Sequence, residues 1–257
     1  MITFFQDVWS ILVEYKSYLL QGVGYTMLIA LTGTLIGLLI GLITGIIRTI
    51  PKPKNLLIRS ILKVVNALIG IYVEVFRGTP MMVQSMVIFW GYAFMNGGKT
   101  LPLIPAGIFI VSINTGAYMA EIVRGGIISI DKGQFEGAYS IGMTHYQTML
   151  HVIIPQTIRN ILPAISNEFV INIKDTSVLN VIGVTELFFF TAKISKMNWK
   201  IFETYVVACV IYFILTFTIT RILRFIEQKL DGPSSYTIHQ SSTMPNEKYM
   251  VQMEDQK

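Results

Sequence analysis

The chain has 257 residues, of which 53% are hydrophobic and only 14% are charged, and its formal net charge is +5. Because ordinary soluble domains carry about 25% charged residues, this composition argues against a soluble globular fold and indicates a membrane protein. The basic residues cluster at the ends of apolar runs, a pattern that reports orientation in a membrane rather than nucleic-acid binding.

The first segment, residues 1–19, is predicted to be an interfacial amphipathic helix. Phe5, Trp9 and Leu12 recur at helical spacing opposite Asp7 and Glu14. Acids before the first apolar run, and the lack of a basic start, argue against a cleaved signal peptide. We therefore expect the first membrane span to remain in the mature protein.

About five transmembrane helices are predicted, at roughly 21–47, 68–96, 101–123, 160–182 and 204–226. Segment 48–63 contains five basic residues and no acid, which marks it as cytoplasmic and places the N-terminus outside. Further basic flanks within 124–159 and 221–229 are consistent with two spans between each pair of cytoplasmic segments and a cytoplasmic C-terminus.

Two regions oppose simple hydropathy. The fourth span contains Glu168, Lys174 and Asp175, and the expected external loop after it contains three lysines. Beyond the last span, residues 231–257 are polar and are expected to form a disordered cytoplasmic tail.

The cytoplasmic segment 124–159 contains two short helical patterns. Residues 133–142 alternate with helical spacing and end at Gly142, which permits a sharp change of direction. A second helical stretch, 145–151, leads to Pro155, where the missing N–H and fixed φ are expected to stop or kink the backbone. The spacing alone fits either an interfacial loop helix or a helix that docks in a partner's groove.

This stretch resembles the cytoplasmic EAA loop of ABC importer permeases, whose pattern is E-A-A, three residues, Gly, nine residues, then I-x-L-P. Glu136, Ala138, Gly142 and Pro155 match at the right spacing. The departures are Gly137 for an alanine, Val152 for an isoleucine and Ile154 for a leucine. Segments 73–80, 117–127 and 172–177 resemble the branch that transports polar amino acids.

The resemblance implies an all-α, polytopic membrane protein of the type I ABC importer permease fold over residues 20–228, in the bacterial cytoplasmic membrane. It implies that Glu136, Gly137, Ala138, Gly142 and Pro155 couple the chain to two cytoplasmic ATPase subunits. It also implies a second permease, identical or a sister chain, and an external binding protein, with no nucleic acid. The chain itself would be no enzyme and hold no cofactor, because ATP and Mg²⁺ would bind to the ATPase.

The cargo is expected to be a polar amino acid, with arginine, histidine, glutamine, glutamate and cystine all open. The alternative function is a secondary amino-acid carrier driven by an ion gradient. Such carriers usually show internal repeats, and five spans do not divide into two equal inverted units.

Ionisable side chains within the membrane are the candidates for the cargo pathway. Asp175 is expected to accept the substrate ammonium and Lys174 to meet its carboxylate, with Thr176 and Ser177 as hydroxyl partners. Glu74 precedes 77–80, where Gly78 and Pro80 are expected to interrupt a helix.

The alternative to this pathway is mutual neutralisation of the buried charges. Lys174 would then pair with Asp175 or Glu168, and Glu74 with Arg77. Glu121 and Arg124 are predicted to form an ion pair at a helix end that holds the loop 124–159.

Three other patterns are predicted to be structural. Residues 93–100 loosely match a phosphate loop but are predicted to be an external turn, since no strand should precede them. His145 and His151 are spaced wrongly for a metal site, and none is predicted. Gly33, Gly37, Gly41 and Gly45 form a small-residue stripe for helix packing, within or between permeases.

Overall fold

The computed structural model describes residues 2–231, and all regular secondary structure in them is helical. Apart from residue 231, the predicted tail lies outside the described residues. The α-helices are α1 (Ile2–Glu14), α2 (Lys16–Ile47), α3 (Leu56–Gly78), α4 (Met81–Met95), α5 (Leu103–Ile128), α6 (Lys132–Ser140), α7 (His145–Thr148), α8 (Ile154–Asp175), α9 (Leu187–Asn198) and α10 (Ile201–Asp231). A π-helical turn (Met149–Ile153) joins α7 to α8, and a 3-10 helix (Thr176–Ile182) follows α8.

Within residues 2–231, four helices are long and apolar enough to cross a membrane: α2, α3, α5 and α10. The continuous stretch from α7 to the 3-10 helix, taken with α9, is a fifth candidate with a 57° bend. Predicted spans 21–47, 101–123 and 204–226 fall on α2, α5 and α10. The predicted span 68–96 is divided between α3 and α4, and the external loop expected after residue 182 contains the helix α9.

Helix α5 is the centre of the bundle and packs against α2, α3, α4 and α8, most extensively against α2. The four glycines of the α2 stripe lie against α5. A Cβ added at Gly41 would lie 2.7 Å from the backbone carbonyl carbon of Met119, and one at Gly33 would lie 2.6 Å from Cγ1 of Val111. The stripe therefore serves packing within this chain, because only glycine lets the two backbones approach this closely.

A buried polar network fastens α8 to the same pair of helices. Asn172 Nδ2 donates to Thr34 Oγ1 at 2.7 Å and to Thr115 Oγ1 at 2.9 Å, and all three side chains are buried. Asn172 thus joins α2, α5 and α8, and hydrogen bonds of this kind hold transmembrane helices together where apolar burial cannot.

Helix α9 begins at a buried acid that the sequence analysis did not single out. The Glu186 carboxylate is fully buried and accepts from the backbone N–H groups of Phe188 at 2.9 Å and Phe189 at 2.7 Å, and from Tyr212 Oη at 2.9 Å. It caps the first turn of α9 and ties that helix to α10. The Leu187 N–H also donates to Thr26 Oγ1 at 3.2 Å, which adds a tie to α2.

Helix α1 packs against α10 and α2, and its Phe5 and Trp9 side chains are exposed. Lys200, between α9 and α10, donates from Nζ to Asp7 Oδ1 at 2.6 Å. This hydrogen bond raises the pKa of Lys200, because the carboxylate favours the charged ammonium.

The turn at residues 96–102 follows α4, with Gly97 and Gly98 at φ of +63° and +86°. It has a helix before it, where a phosphate loop follows a strand. It is therefore a glycine turn between α4 and α5, as predicted.

Candidate coupling loop and polar clefts

The loop between α5 and α8 folds into two short helices at an angle. Helix α6 is capped by Asp131, whose side chain accepts from the Gly133 N–H at 2.7 Å. It ends at a turn in which Gly142 has a φ of +82°, the left-handed conformation that favours glycine. The N–H of Met143 donates to the Ala138 carbonyl at 3.1 Å and closes this turn. The helix and turn predicted for 133–142 are thus present.

Helix α7 begins with reciprocal hydrogen bonds between Thr144 and Gln147, a capping box. The chain then continues through the π-helical turn into α8, and Pro155 lies in the first turn of α8. The backbone does not stop at Pro155, because the helix continues through it; the local distortion there is the π-helical turn that ends two residues earlier.

The outer surface of the loop presents apolar side chains to its surroundings. Ile141 is 79% exposed and Tyr146 is 73% exposed, and Tyr139 is also exposed. The Tyr139 hydroxyl lies 3.1 Å from His145 Nδ1, which links α6 to α7. Such side chains on a short, capped helix pair form a surface suited to a partner's groove.

Four of the five predicted coupling residues are exposed. Glu136, Gly137, Gly142 and Pro155 are exposed, whereas Ala138 is buried and anchors α6 to the loop. A Cβ at Gly137 would meet no heavy atom within 4 Å, so the family's alanine would fit there. Gln156 Nε2 donates to Gln134 Oε1 at 3.1 Å and ties α6 to the start of α8.

At the root of the loop, the Glu121 carboxylate pairs with two arginines. The predicted pair with Arg124 is confirmed, with an Nη2 to Oε2 distance of 2.8 Å. Arg48, at the end of α2, pairs with the other carboxylate oxygen. The sequence analysis missed Arg48, because 73 residues separate it from Glu121 and no local pattern links them.

The interruption expected near Gly78 and Pro80 separates α3 from α4. Gln84 Nε2 donates to the carbonyls of Phe76 at 2.9 Å and Thr79 at 2.8 Å. Asn114 of α5 donates to Gln84 Oε1 at 2.9 Å. Two of the carbonyls freed by the break are thereby satisfied within the protein, as a break at membrane depth requires.

A polar cleft lies beside this break. It has a volume of about 440 Å³ and is lined by Arg48, Gly70, Val73, Glu74, Arg77, Gly78 and Glu121. The Arg77 guanidinium lies 5.5 Å from the ring centre of Tyr118. Among the described residues, the ion pairs join Arg48 and Arg124 to Glu121 and Lys200 to Asp7, so the expected pair between Glu74 and Arg77 is not formed.

The charged residues of α8 point in two directions. Glu168 and Asp175 are seven residues apart, about two helical turns, and so lie on the same side of α8. Lys174 instead lines a second cleft of about 340 Å³ between α8 and α10, beside Arg221 and Arg224. Neither of the ion pairs considered for Lys174, with Asp175 or Glu168, is among those formed in the described residues.

The two hydroxyl candidates also differ. Thr176 is fully buried, and its hydroxyl donates to the Ile173 carbonyl at 2.9 Å. Ser177 is half-buried at the start of the 3-10 helix. Of the five predicted pathway residues, Thr176 is thus already engaged, whereas the side chains of Glu74, Lys174, Asp175 and Ser177 form no ion pair or hydrogen bond with the described residues.

The two histidines of the loop are each engaged within it. His145 Nδ1 faces Tyr139, and His151 Nδ1 lies 3.1 Å from the Gln147 carbonyl. Over residues 2–231, no cluster of three potential metal ligands occurs.

Comparison with known proteins gives a consistent family. Residues 55–232 match the family described as binding-protein-dependent transport system inner membrane component. The chain is 42% identical over 163 residues to the L-cystine transport system permease protein TcyB of Bacillus subtilis (strain 168), covering 63% of this chain and 69% of that protein. It is 36% identical over 160 residues to the glutamine transport system permease protein GlnP of Escherichia coli (strain K12), covering 62% and 73%.

Solved structures agree. A crystal structure of an amino acid ABC transporter with histidines contains a chain that matches with a TM-score of 0.72 at 35% identity, over 85% of this chain and 96% of that one. The MetNI methionine ABC transporter in an inward-facing conformation matches with a TM-score of 0.68 at 19% identity, over 83% and 96%, which supports the fold alone. The chain therefore belongs to the binding-protein-dependent transport system inner membrane components, the permease subunits of ABC importers.

Proposed function

We propose that this chain forms the membrane pathway of an ABC importer for a polar amino acid and is driven by a separate ATPase that docks on the loop 124–159. Family membership and relatives named for cystine and glutamine transport support the cargo class. One observation carries the mechanism: Glu121 lines the polar cleft and, through Arg48 and Arg124, also forms the root of the loop. A movement of the loop would therefore be transmitted to the wall of the cleft.

The same contact supports the proposed orientation. The pair between Arg48 and Glu121 joins the basic segment 48–63 to the end of α5 from which the loop starts. Because basic loops collect on the cytoplasmic side, the proposed orientation has both segments in the cytoplasm and the N-terminus outside.

In the proposed coupling, Ala138 anchors α6, Gly142 sets its angle to α7, and Pro155 starts α8. The exposed Tyr139, Ile141 and Tyr146 then enter a groove of the ATPase. The Glu136 carboxylate and the backbone at Gly137 lie on the exposed face of α6. ATP and Mg²⁺ bind to the ATPase, and this chain contributes no catalytic residue and holds no cofactor.

In the proposed pathway, Arg77 meets the carboxylate of the amino acid, and Glu74 and Asp175 accept its ammonium group, with Ser177 as a hydroxyl partner. The Arg77 guanidinium has no ion-pair partner among the described residues, which leaves it available to an anion. Lys174 lines the separate cleft against α10 and is therefore not assigned to the substrate carboxylate, and the Thr176 hydroxyl is held by the Ile173 carbonyl. The remaining partners are a second permease, identical or a sister chain, and an external binding protein.

The test is amino-acid uptake into proteoliposomes that contain this chain with its candidate ATPase and binding protein. Uptake should require ATP, and Asp175→Asn and Arg77→Gln should each abolish most of it at normal protein abundance. Glu14→Gln, an acid-to-amide change on exposed α1, is the matched control and should leave uptake unchanged.

Two results would overturn parts of the proposal. Uptake driven by an ion gradient without the ATPase would show a secondary carrier. Unchanged uptake kinetics in Asp175→Asn would remove α8 from the pathway.

A further inference from the structure

A basic cleft lies where α2 ends and α3 begins. It has a volume of about 470 Å³, and four of its lining residues are cationic; the lining is Arg48, Ile50, Lys52, Pro53, Arg59, Leu62, Lys63 and Asn66. No acidic side chain lines it. Arg48 is paired with Glu121, and the other three cations form no ion pair within residues 2–231. Like charges gathered without a counter-ion repel one another, so the cleft is suited to a bound anion.

The surface beside the cleft is apolar. Leu56 is 79% exposed, Leu57 is 70% exposed and Ile61 is 56% exposed, all on the first turns of α3. Arg59 and Lys63 lie four residues apart on the same helix and face the cleft. The start of α3 is therefore amphipathic, with cations on one face and large apolar side chains on another, as at the surface of a bilayer.

We propose that this cleft binds the headgroup phosphate of an anionic phospholipid, whose acyl chains lie along the exposed apolar face of α3. Both halves of a phospholipid then meet a matching surface. Asn66 also lines the cleft, and its Oδ1 is buried without a hydrogen-bond partner in the described part of the chain. A headgroup that carries hydroxyls, such as phosphatidylglycerol, supplies a donor for that amide as well as the phosphate.

The bound lipid would lie next to the root of the coupling loop. Arg48 lines both this basic cleft and the polar cleft that contains Glu74, and it pairs with Glu121. A headgroup phosphate would share Arg48 with Glu121 and so help to fix the relative positions of α2, α3 and α5. This inference rests on the geometry of the cleft and does not depend on the proposed cargo.

The experiment measures phosphatidylglycerol retained by the purified full chain in detergent, by native mass spectrometry, with phosphatidylcholine as the zwitterionic comparison. We expect preferential retention of phosphatidylglycerol. The double variant Arg59→Gln/Lys63→Gln should weaken it about 30-fold, since each cation near a lipid surface contributes roughly five-fold. The control Lys99→Gln/Lys196→Gln removes the same charge from exposed sites outside the cleft and should retain the lipid.

The charge-preserving variant Arg59→Lys/Lys63→Arg should also retain the lipid, which separates charge from folding. Equal retention of the two lipids, or equal retention by the wild type and Arg59→Gln/Lys63→Gln, would overturn the proposal. So would displacement of the lipid by millimolar inorganic phosphate, which would identify a site for a free anion. A loss of ATPase binding in Arg59→Gln/Lys63→Gln with unchanged lipid retention would assign the cleft to the ATPase instead.

Discussion

Replacing Gly41 by alanine tests the close packing of α2 against α5. The new Cβ would lie 2.7 Å from the Met119 carbonyl carbon and 3.0 Å from the Ala120 nitrogen, where carbon atoms normally stay about 3.5–4.0 Å apart. The nearest obstacle is Met119 Cβ, and because neither that atom nor the two backbone atoms move when a side chain rotates, the two helices must separate. Overpacking typically costs about 1–3 kcal/mol, and a rigid backbone obstacle favours the upper end. The better helix propensity of alanine returns up to about 1 kcal/mol.

The net expectation for Gly41→Ala is a destabilisation of about 2 kcal/mol, or a fall in Tm of roughly 4–8 °C for a chain of this size. The measurement is the fraction of protein that stays monodisperse in detergent after heating. Gly24→Ala is the matched control on the same helix, because a Cβ there meets nothing within 4 Å, and it should be neutral or slightly stabilising. Equal melting of the two variants would refute the close approach of α2 and α5.

Three further predictions concern the buried cap, the coupling turn and the outer ion pair. Glu186→Ala should destabilise the chain by about 3–5 kcal/mol, because it leaves two backbone N–H groups and the Tyr212 hydroxyl without their acceptor. Glu186→Gln should destabilise it by less, since one acceptor oxygen remains. Heating in detergent ranks the two variants, and an alanine variant as stable as the glutamine variant would contradict the capping role of Glu186. Gly142→Ala should strain the left-handed turn by about 1–2 kcal/mol and lower ATP-driven uptake. Gly137→Ala should leave uptake unchanged, because a Cβ there meets no heavy atom within 4 Å. Equal uptake by the two variants would show that the left-handed turn is dispensable. The ion pair of Lys200 with Asp7 stabilises the fold fully below the pKa of an unfolded lysine, near 10.4, and this stabilisation is lost only as pH rises through the higher folded pKa of Lys200. The difference in Tm between Lys200→Met and the wild type should therefore be constant from pH 6 to 9. A difference that vanishes within this range would contradict the raised pKa.

The features that the sequence predicted well depend on local pattern. An apolar run such as 21–47, without a single charged residue, has few alternatives to a membrane helix, and α2 covers it. The glycine at 142 follows a helical repeat and marks a turn because few other residues adopt its φ. The pair of Glu121 with Arg124 was predictable because three residues on a helix bring two side chains together.

The features that the sequence did not predict depend on contacts between distant segments. Arg48 reaches Glu121 across 73 residues, and the N–H of Leu187 reaches Thr26 across 161. Glu186 was missed because an acid in an apolar stretch resembles a loop residue until its carboxylate is seen to accept from the first N–H groups of a helix. Helix α9 was expected as a loop because Lys193 and Lys196 lower its hydropathy, yet Lys193 lies 4.5 Å from the ring centre of Tyr18, where its charge is accommodated.

The sequence also did not predict that Lys174 and Asp175 face different parts of the structure. Adjacent residues on a helix point about 100° apart, so two neighbouring charges serve different clefts even though they are joined in sequence. The pathway hypothesis treated residues 174–177 as one unit. In the structure, Lys174 lines the cleft against α10, Asp175 lies on the same side of α8 as Glu168, and Thr176 is buried at the end of α8.

We propose that the loop 124–159 transmits ATP hydrolysis to a polar pathway through Glu121. The most direct measurement compares ATP hydrolysis and amino-acid uptake in the same proteoliposomes for the wild type and Glu121→Gln, which weakens both arginine contacts at once. In Glu121→Gln we expect the ATPase still to bind and hydrolyse ATP while the amino-acid uptake per ATP falls severalfold. An unchanged ratio of uptake to hydrolysis in Glu121→Gln would contradict it.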